Sequence, residues 1–348
     1  MLECSGLFER GSPGERRTAR GDRMFVPESY GLALLLVILC AACWGSWANT
    51  YKLATGVRFE LFYWDYAIGI FVMALLLAFT LGSAGGGEDA FLANLDEAGA
   101  GRIVQAMIGG AVFNLANILL VAAIAIAGLA IAFPVSIGTA LVLGTVLAYS
   151  VEPKGNQGLI TLGVALAVAA ILADALAYKE LGGGKVKVTR RGLWICIVSG
   201  LLMGSWVRFT TVAMAPGEGR LTPYTSTVFF TLSALLSTIP FNLYFMKKPL
   251  AGEPVSMSGY FQGGARGHVL GLLGGFIWSL GTAFNLIAGS RVGFAISYAI
   301  GQSAPMVAAL WGVVVWKEFE GASAKAKRNL ALMFVFYIGA IVALASAS

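Results

Sequence analysis

This chain repeats itself at a nearly fixed interval. Gly45-Ser46-Trp47 reappears as Gly204-Ser205-Trp206, and Gly109-Gly110 as Gly274-Gly275. Gly128-Leu129-Ala130-Ile131 reappears as Gly293-Phe294-Ala295-Ile296, and Glu152-Pro153-Lys154-Gly155 as Glu318-Phe319-Glu320-Gly321. The offsets are 159, 165, 165 and 166 residues, so order and spacing are both held. Between these signatures run ten apolar segments, at 30–52, 61–82, 103–123, 127–149, 157–178, 192–213, 223–246, 268–289, 293–316 and 328–346. A transmembrane helix needs roughly 20 apolar residues. Five segments fall in each half, and five crossings leave the chain on the far side of a membrane. The expected fold is therefore an all-α membrane protein of ten transmembrane helices, built as two inverted five-helix repeats. The expected organisation is an N-terminal extension at 1–28, a first repeat at 29–178, a basic linker at 179–191 and a second repeat at 192–348.

Composition agrees with a bilayer. The chain is 58% hydrophobic and 12% charged, against about 25% charged in soluble domains. Its net charge of +6 is distributed as topology and gives no sign of nucleic-acid binding. Loops after the odd-numbered segments hold fourteen Lys and Arg, from Lys52 and Arg58 to Lys327 and Arg328. Loops after the even-numbered segments hold four: Arg102, Lys154, Arg220 and Arg291. The positive-inside rule puts the fourteen in the cytoplasm and both ends of the bundle outside. The location expected is a bacterial-type inner membrane.

Residues 1–23 then pose a conflict, because Arg10, Arg16, Arg17, Arg20 and Arg23 would have to be translocated. The stretch has no apolar core, so it is no signal peptide. Either Met24 is the native start or 1–23 is a disordered basic arm. Cys40 and Cys43 are spaced C-x-x-C inside a helical segment with no second pair, and the single histidine is His268, at a segment boundary. These read as packing and interfacial residues, and neither a metal nor a cofactor is expected. Gly182-Gly183-Gly184-Lys185 lacks the spacing and the hydroxyl residue of a phosphate loop. A membrane enzyme would need a nucleophile with its base, or paired carboxylates, and the segments offer neither.

Polar side chains in lipid must face protein or a water-filled cavity. Trp47 and Asn49 match Trp206 and Arg208 at the 159 offset, and a two-fold axis would bring both pairs to the centre. Aromatic faces beside amide and guanidinium groups suit a small, ring-shaped polar solute; the alternative for the tryptophans is the interfacial belt. Asn114 and Asn117 match Ser279 and Thr282, as solute contacts or as interhelical glue. Phe133-Pro134 through Gly138 and Gly301-Gln302-Ser303-Ala304-Pro305 interrupt corresponding helices, a pointer to a binding site. The expected solute-binding set is Trp47, Asn49, Asn117, Trp206, Arg208 and Gln302. Asp174 reads as a boundary acid beside Lys179. Asp65, about one turn inside its segment among aromatics, is the expected proton-coupling group, since a carboxyl shielded from water can exchange a proton. Its alternative is an interfacial acid paired with Lys52 or Arg58.

Gly45-Ser46-Trp47, Asp65-Tyr66, Leu221-Thr222-Pro223-Tyr224-Thr225 and the stretch Gly274 to Glu318 resemble the drug/metabolite transporter superfamily. Within it, the chain is similar to the ureide permeases and the bacterial glucose/ribose and rhamnose porters over roughly residues 25–346. The resemblance implies ten helices, alternating access and, for those families, uptake of neutral polar solutes, often with protons. It departs from the plant ureide permeases at their long central cytoplasmic loop, where this chain has only residues 179–191. The resulting expectation is a proton-coupled importer of a sugar or of a ureide or nucleobase, acting as a monomer or homodimer. A drug or metabolite exporter is the alternative on the same fold.

Overall fold

A computed structural model describes residues 24–85, 87–182 and 189–348. The arginine-rich segment 1–23 and residues 183–188 of the central linker lie outside the described residues. The described chain is helical throughout, with no strand. In order come α1 (Tyr30–Ser46), α2 (Ala48–Leu53), α3 (Phe59–Phe79), α4 (Phe91–Glu97), α5 (Ala100–Ala127) and α6 (Leu129–Ala132). After a π-helical turn at Phe133–Ile137 follow α7 (Gly138–Val151), α8 (Gln157–Leu181), α9 (Arg190–Met214) and α10 (Pro223–Lys247). Then come α11 (Met257–Phe261), α12 (Ala265–Val292), α13 (Phe294–Gly301), α14 (Ala304–Val314) and α15 (Ala324–Ala345). Among the described residues, nine helical stretches are long and apolar enough to cross a bilayer. The expected ninth segment, 293–316, is instead the pair α13 and α14, parted at Gln302 and Ser303.

Local chemistry sets these boundaries. The side chains of Ser29, Asn156, Thr189, Thr222 and Ser323 each accept a hydrogen bond from the backbone N–H three residues on, which caps the helix start. Pro223 follows such a cap at the first position of α10, where its missing N–H costs nothing. Gly128 and Gly293, a repeat-related pair, end α5 and α12 at φ of 75° and 98°, a region that disfavours a β-carbon. The π-turn contains Pro134, and α14 begins at Ala304-Pro305, so both anticipated interruptions fall at a proline.

Consecutive long helices run antiparallel, which brings loops together at two ends. At one end Phe25 N–H donates to the Leu81 carbonyl at 2.9 Å, Gly99 to Gly219 at 3.0 Å, and Lys154 Nζ to the Arg291 carbonyl at 2.7 Å. At the other end Lys52 pairs with Glu318, Arg58 with Glu60 and Lys325 with Glu180. The described Lys and Arg of the odd-numbered loops, all of the fourteen but Lys185 and Lys187, belong to this second, basic end.

The bundle is inside-out relative to a soluble protein. Leu35, Ile38, Leu76, Val146, Leu172 and Val335 are exposed, while Asn114, Asn117, Thr210, Thr231 and Ser279 are buried. With lipid outside, exposed leucine costs nothing, and each polar group must find its partner within the protein. Helix contact then depends on small residues. α12 packs on α3 and α1, and α5 on α10 and α9. A β-carbon on Gly275 would stand 2.7 Å from the Ile70 nitrogen; one on Gly110 would meet the Phe230 backbone.

Two features depart from the sequence reading. Asp174 is no boundary acid: it is 3% exposed, seven residues before the end of α8, and its Oδ1 has no hydrogen-bond partner. α8 runs further than the apolar segment does and carries the acid inside. The stretches between the apolar segments also contain the short helices α4 and α11, which the apolar pattern does not mark.

The packing gives a direct test. Gly275→Ala forces two backbones apart and should destabilise the protein by about 1–3 kcal/mol, the usual cost of overpacking. Gly138→Ala meets nothing within 4 Å and should leave stability unchanged or slightly raised. Thermal unfolding in detergent compares the two.

Candidate functional site

α1, α5, α9, α10, α12 and α13 each send one aromatic ring into the middle of the bundle. Trp44 of α1 lies 6.2 Å from both Trp206 of α9, edge-on, and Trp278 of α12, stacked. Phe113 of α5 stacks on Trp278 at 4.1 Å. Trp206 packs against Phe230 of α10 at 5.2 Å and Tyr298 of α13 at 5.7 Å. The cluster extends through Trp47, whose ring lies 4.7 Å from Tyr66, and Tyr66 lies 5.3 Å from Tyr63. Edge-on and offset pairs of this kind add to simple burial because the ring edge is positive and the face negative.

Beside the rings runs a buried polar seam. The Trp44 indole N–H donates to Thr282 Oγ1 at 3.1 Å. Tyr63 OH donates to Asn114 Oδ1 at 2.8 Å, and Asn117 Nδ2 donates to Tyr63 OH at 3.2 Å. Asn114 Nδ2 continues to Ser237 Oγ at 2.9 Å. Asn285 Nδ2 donates to the Ser297 carbonyl at 2.9 Å, which holds α13 against α12. Not every group is used: Tyr66 OH, Ser279 Oγ and Ser303 Oγ are buried with no partner. Buried groups of this type are free to bond a solute, and each left empty costs about 1–3 kcal/mol. The seam therefore offers ring faces and neutral donors and acceptors, with no charged side chain, as an uncharged polar molecule requires.

The anticipated residues separate into two groups. Trp206, 1% exposed, is in the aromatic centre, and Asn117, 3% exposed, is in the seam. Trp47 is half-buried on Tyr66. Gln302 is buried at the α13–α14 break, directly after Gly301, whose β-carbon would stand 3.0 Å from Asn285 Nδ2 and from the Trp44 ring. Asn49 and Arg208 lie elsewhere. Asn49 Oδ1 accepts from the Trp316 indole at 2.6 Å. Arg208 is exposed, and its Nη1 donates to Ser150 Oγ at 3.0 Å. Two residues beyond Trp206, it is turned some 200° around α9, away from the centre. The hydroxyls of Tyr63, Tyr66 and Tyr298 were not singled out from the sequence; their signal was the aromatic run Phe62-Tyr63-Trp64-Asp65-Tyr66.

Asp65 is 6% exposed near the basic end and has neither of its anticipated partners. His268 Nδ1 lies 2.8 Å from its Oδ2, and Tyr260 OH donates to Oδ1 at 2.8 Å. His268 begins α12 and Tyr260 sits on α11, so three segments converge on one carboxylate beside a cavity of about 240 Å³. Burial and the hydrogen bond to Asp65 push the Tyr260 hydroxyl up to about 12. Lys52 and Arg58 instead bind Glu318 and Glu60.

Comparison with known proteins agrees with this architecture. The family model described as ureide permease matches residues 62–190 and 192–348. Ureide permease 1 of Arabidopsis thaliana is 23% identical, over 93% of this chain and 99% of its own length. Probable ureide permease A3 of Vigna unguiculata is 24% identical, over 86% and 98%. A solved crystal structure, 16% identical, superposes with a TM-score of 0.58 over 90% of this chain and 96% of the other, a likeness of fold. With two matched blocks that together span most of its length, this multi-pass membrane chain belongs to the ureide permease family.

Proposed function

We propose that the chain is a secondary carrier that imports a ureide, or a closely related neutral ring solute, across a bacterial-type inner membrane by alternating access with protons. The carrying observation is the aromatic and amide centre, to which both halves contribute: Trp44, Phe113 and Asn117 from the first, Trp206, Trp278 and Tyr298 from the second. A ureide is flat and carries amide-type donors and acceptors, so it matches ring faces flanked by Tyr63, Asn117, Ser279 and Ser303 hydroxyls and amides. The relatives are named for ureides.

Two finer parts of the reading have their own support. α13 and α14, with 8 and 11 residues, together have the length of a tenth span. Exchanging the halves maps α1 onto α9, α3 onto α10, α5 onto α12 and α8 onto α15. The packing partners exchange with them: α9 on α5 becomes α1 on α12, α12 on α3 becomes α5 on α10, and α9 on α7 becomes α1 on α14. Gly45 faces Val307 and Ala308 of α14, as its repeat mate Gly204 faces Ala140 and Leu143 of α7. This favours an inverted repeat with the solute between its halves. For the proton, Asp65 with His268 forms a shielded acid and imidazole pair at the end that the positive-inside rule assigns to the cytoplasm.

In a thermal-shift assay on purified protein, allantoin is expected to raise the unfolding temperature, as any ligand of the folded state does. Asn117→Ala should weaken that binding roughly 5- to 30-fold, the worth of one hydrogen bond of about 1–2 kcal/mol. A response to lipophilic cationic dyes with none to ureides, nucleobases or sugars would overturn the importer in favour of an exporter.

Proton coupling has a separate test. Uptake by the unaltered protein should collapse with a protonophore. Asp65→Asn keeps an acceptor for Tyr260 but cannot cycle a proton, so it should bind allantoin and exchange it across the membrane while losing protonophore-sensitive accumulation. Full accumulation by Asp65→Asn would remove Asp65 from the coupling step.

A further inference from the structure

The two ends of the bundle differ at repeat-related positions. At the basic end three side-chain bonds join α1 and α2 to α14 and the turn after it. Trp311 Nε1 donates to Ser46 Oγ at 2.9 Å, Trp316 Nε1 to Asn49 Oδ1 at 2.6 Å, and Lys52 pairs with Glu318. Tyr178 of α8 adds a hydrogen bond to Glu318 Oε2 at 3.2 Å, and the Lys52 ammonium lies 4.3 Å from the Trp316 ring. At the offsets of 159 and 166, the matching pairs at the opposite end are Ser205 with Thr145, Arg208 with Ser150, and Thr211 with Glu152.

Of these three only Arg208 with Ser150 is formed. Ser205 and Thr145 bond carbonyls of their own helices, Leu201 and Leu141, and Thr211 bonds Val207 in the same way. Glu152 makes no side-chain hydrogen bond or ion pair among the described residues, and Lys154 gives its ammonium to the Arg291 carbonyl. Where the basic end has its ion pair, this end has a cavity of about 390 Å³ lined by Thr211, Glu152, Met214, Arg291 and Phe294. Met214 and Phe294 also belong to the buried cluster that holds Trp206 and Tyr298, so continuous apolar packing links the cavity wall to the aromatic centre.

We infer that this cavity is the open mouth of the solute pathway, and that the Lys52–Glu318 pair with Asn49–Trp316 and Ser46–Trp311 is the corresponding mouth closed. The asymmetry is chemical. Lys52 can bridge to a glutamate across the gap between two helices; its mate Thr211 is too short and uncharged, Arg220 of the same cavity pairs with Asp89, and Arg291 makes no ion pair among the described residues, so the Glu152 side has no ionic latch. Closing the open mouth then relies on neutral contacts and on the solute itself, while opening the closed one means breaking an ion pair. The inference rests on the alternating-access reading above, and it gives Asn49 a gating role in place of solute contact.

Supplying the missing cation tests it. With the four native cysteines replaced by alanine, Met214→Cys puts a thiol in the cavity wall, to be labelled in membranes with an impermeant maleimide. Thr211→Lys should form the absent pair with Glu152 and cut labelling about tenfold, which corresponds to about 1.4 kcal/mol of bias. Allantoin uptake should fall with it. Adding Glu152→Gln should restore both, which a folding defect in Thr211→Lys would not allow. Undiminished labelling in Thr211→Lys, a loss that Glu152→Gln fails to reverse, or no labelling of Met214→Cys from either side would overturn the mouth assignment. Labelling needs no solute: if it behaves as expected while the unaltered protein takes up no ureide, the solute reading fails and the mouth stands.

Discussion

In lipid no hydrophobic force presses one helix against another, because the tails outside are as apolar as leucine. Contact must come from fit and from hydrogen bonds, and this chain obtains fit from glycine. Gly110 lies against the Phe230 backbone and Gly275 against Ile70, and the two sites are repeat mates. These approaches draw α5 to α10 and α3 to α12, and thereby bring Phe113, Phe230, Trp278 and Tyr66 within ring contact of their neighbours. Were the glycines replaced by larger residues, the helices would stand further apart and the rings would lose one another. The centre is a consequence of small residues elsewhere on the same helices.

The same constraint orders the polar groups. A side chain that cannot reach water must bond to protein, so most buried hydroxyls in the helices return to their own carbonyls, as Thr210, Thr227 and Thr231 do. Those that bond across helices are few and specific. Tyr63 with Asn114 and Asn117 ties α3 to α5, and Asn285 with Ser297 ties α12 to α13. Among the described residues five buried hydroxyls have no partner, Tyr66, Ser226, Ser279, Ser303 and Tyr337, and they stand out against that economy. Tyr66 lies on α3 against Trp47, Ser279 follows Trp278 in α12, and Ser303 sits at the break after Tyr298.

Nine of the ten apolar segments and both proline interruptions were legible in the sequence because they depend on local residue type: apolar length and proline. Side-chain partnership was less so. Asp65 was read correctly as shielded, but its partners come from residues 195 and 203 positions away, one on the short helix α11 and one at the edge of an apolar segment, where no apolar pattern anchors a prediction. Asp174 was placed at a boundary because the apolar run stops near it, whereas the helix itself continues to Leu181 and buries it. Arg208 was assigned to the centre through its match with Asn49. The match is real in chain position, but each residue faces away from the rings, toward the neighbouring half-helix.

Under the proposed inverted repeat, that last misplacement shows what such a repeat keeps. It carries backbone geometry across the two halves and leaves side-chain chemistry free to differ. Asn49 with Trp316 and Arg208 with Ser150 are the same contact made with different atoms. Lys52 with Glu318 and Thr211 with Glu152 are the same position with and without a charge to close it. A carrier with identical ends would have no preferred resting face. On the present proposal, a single lysine on one side supplies that preference, which sets the side from which an empty carrier first meets its solute.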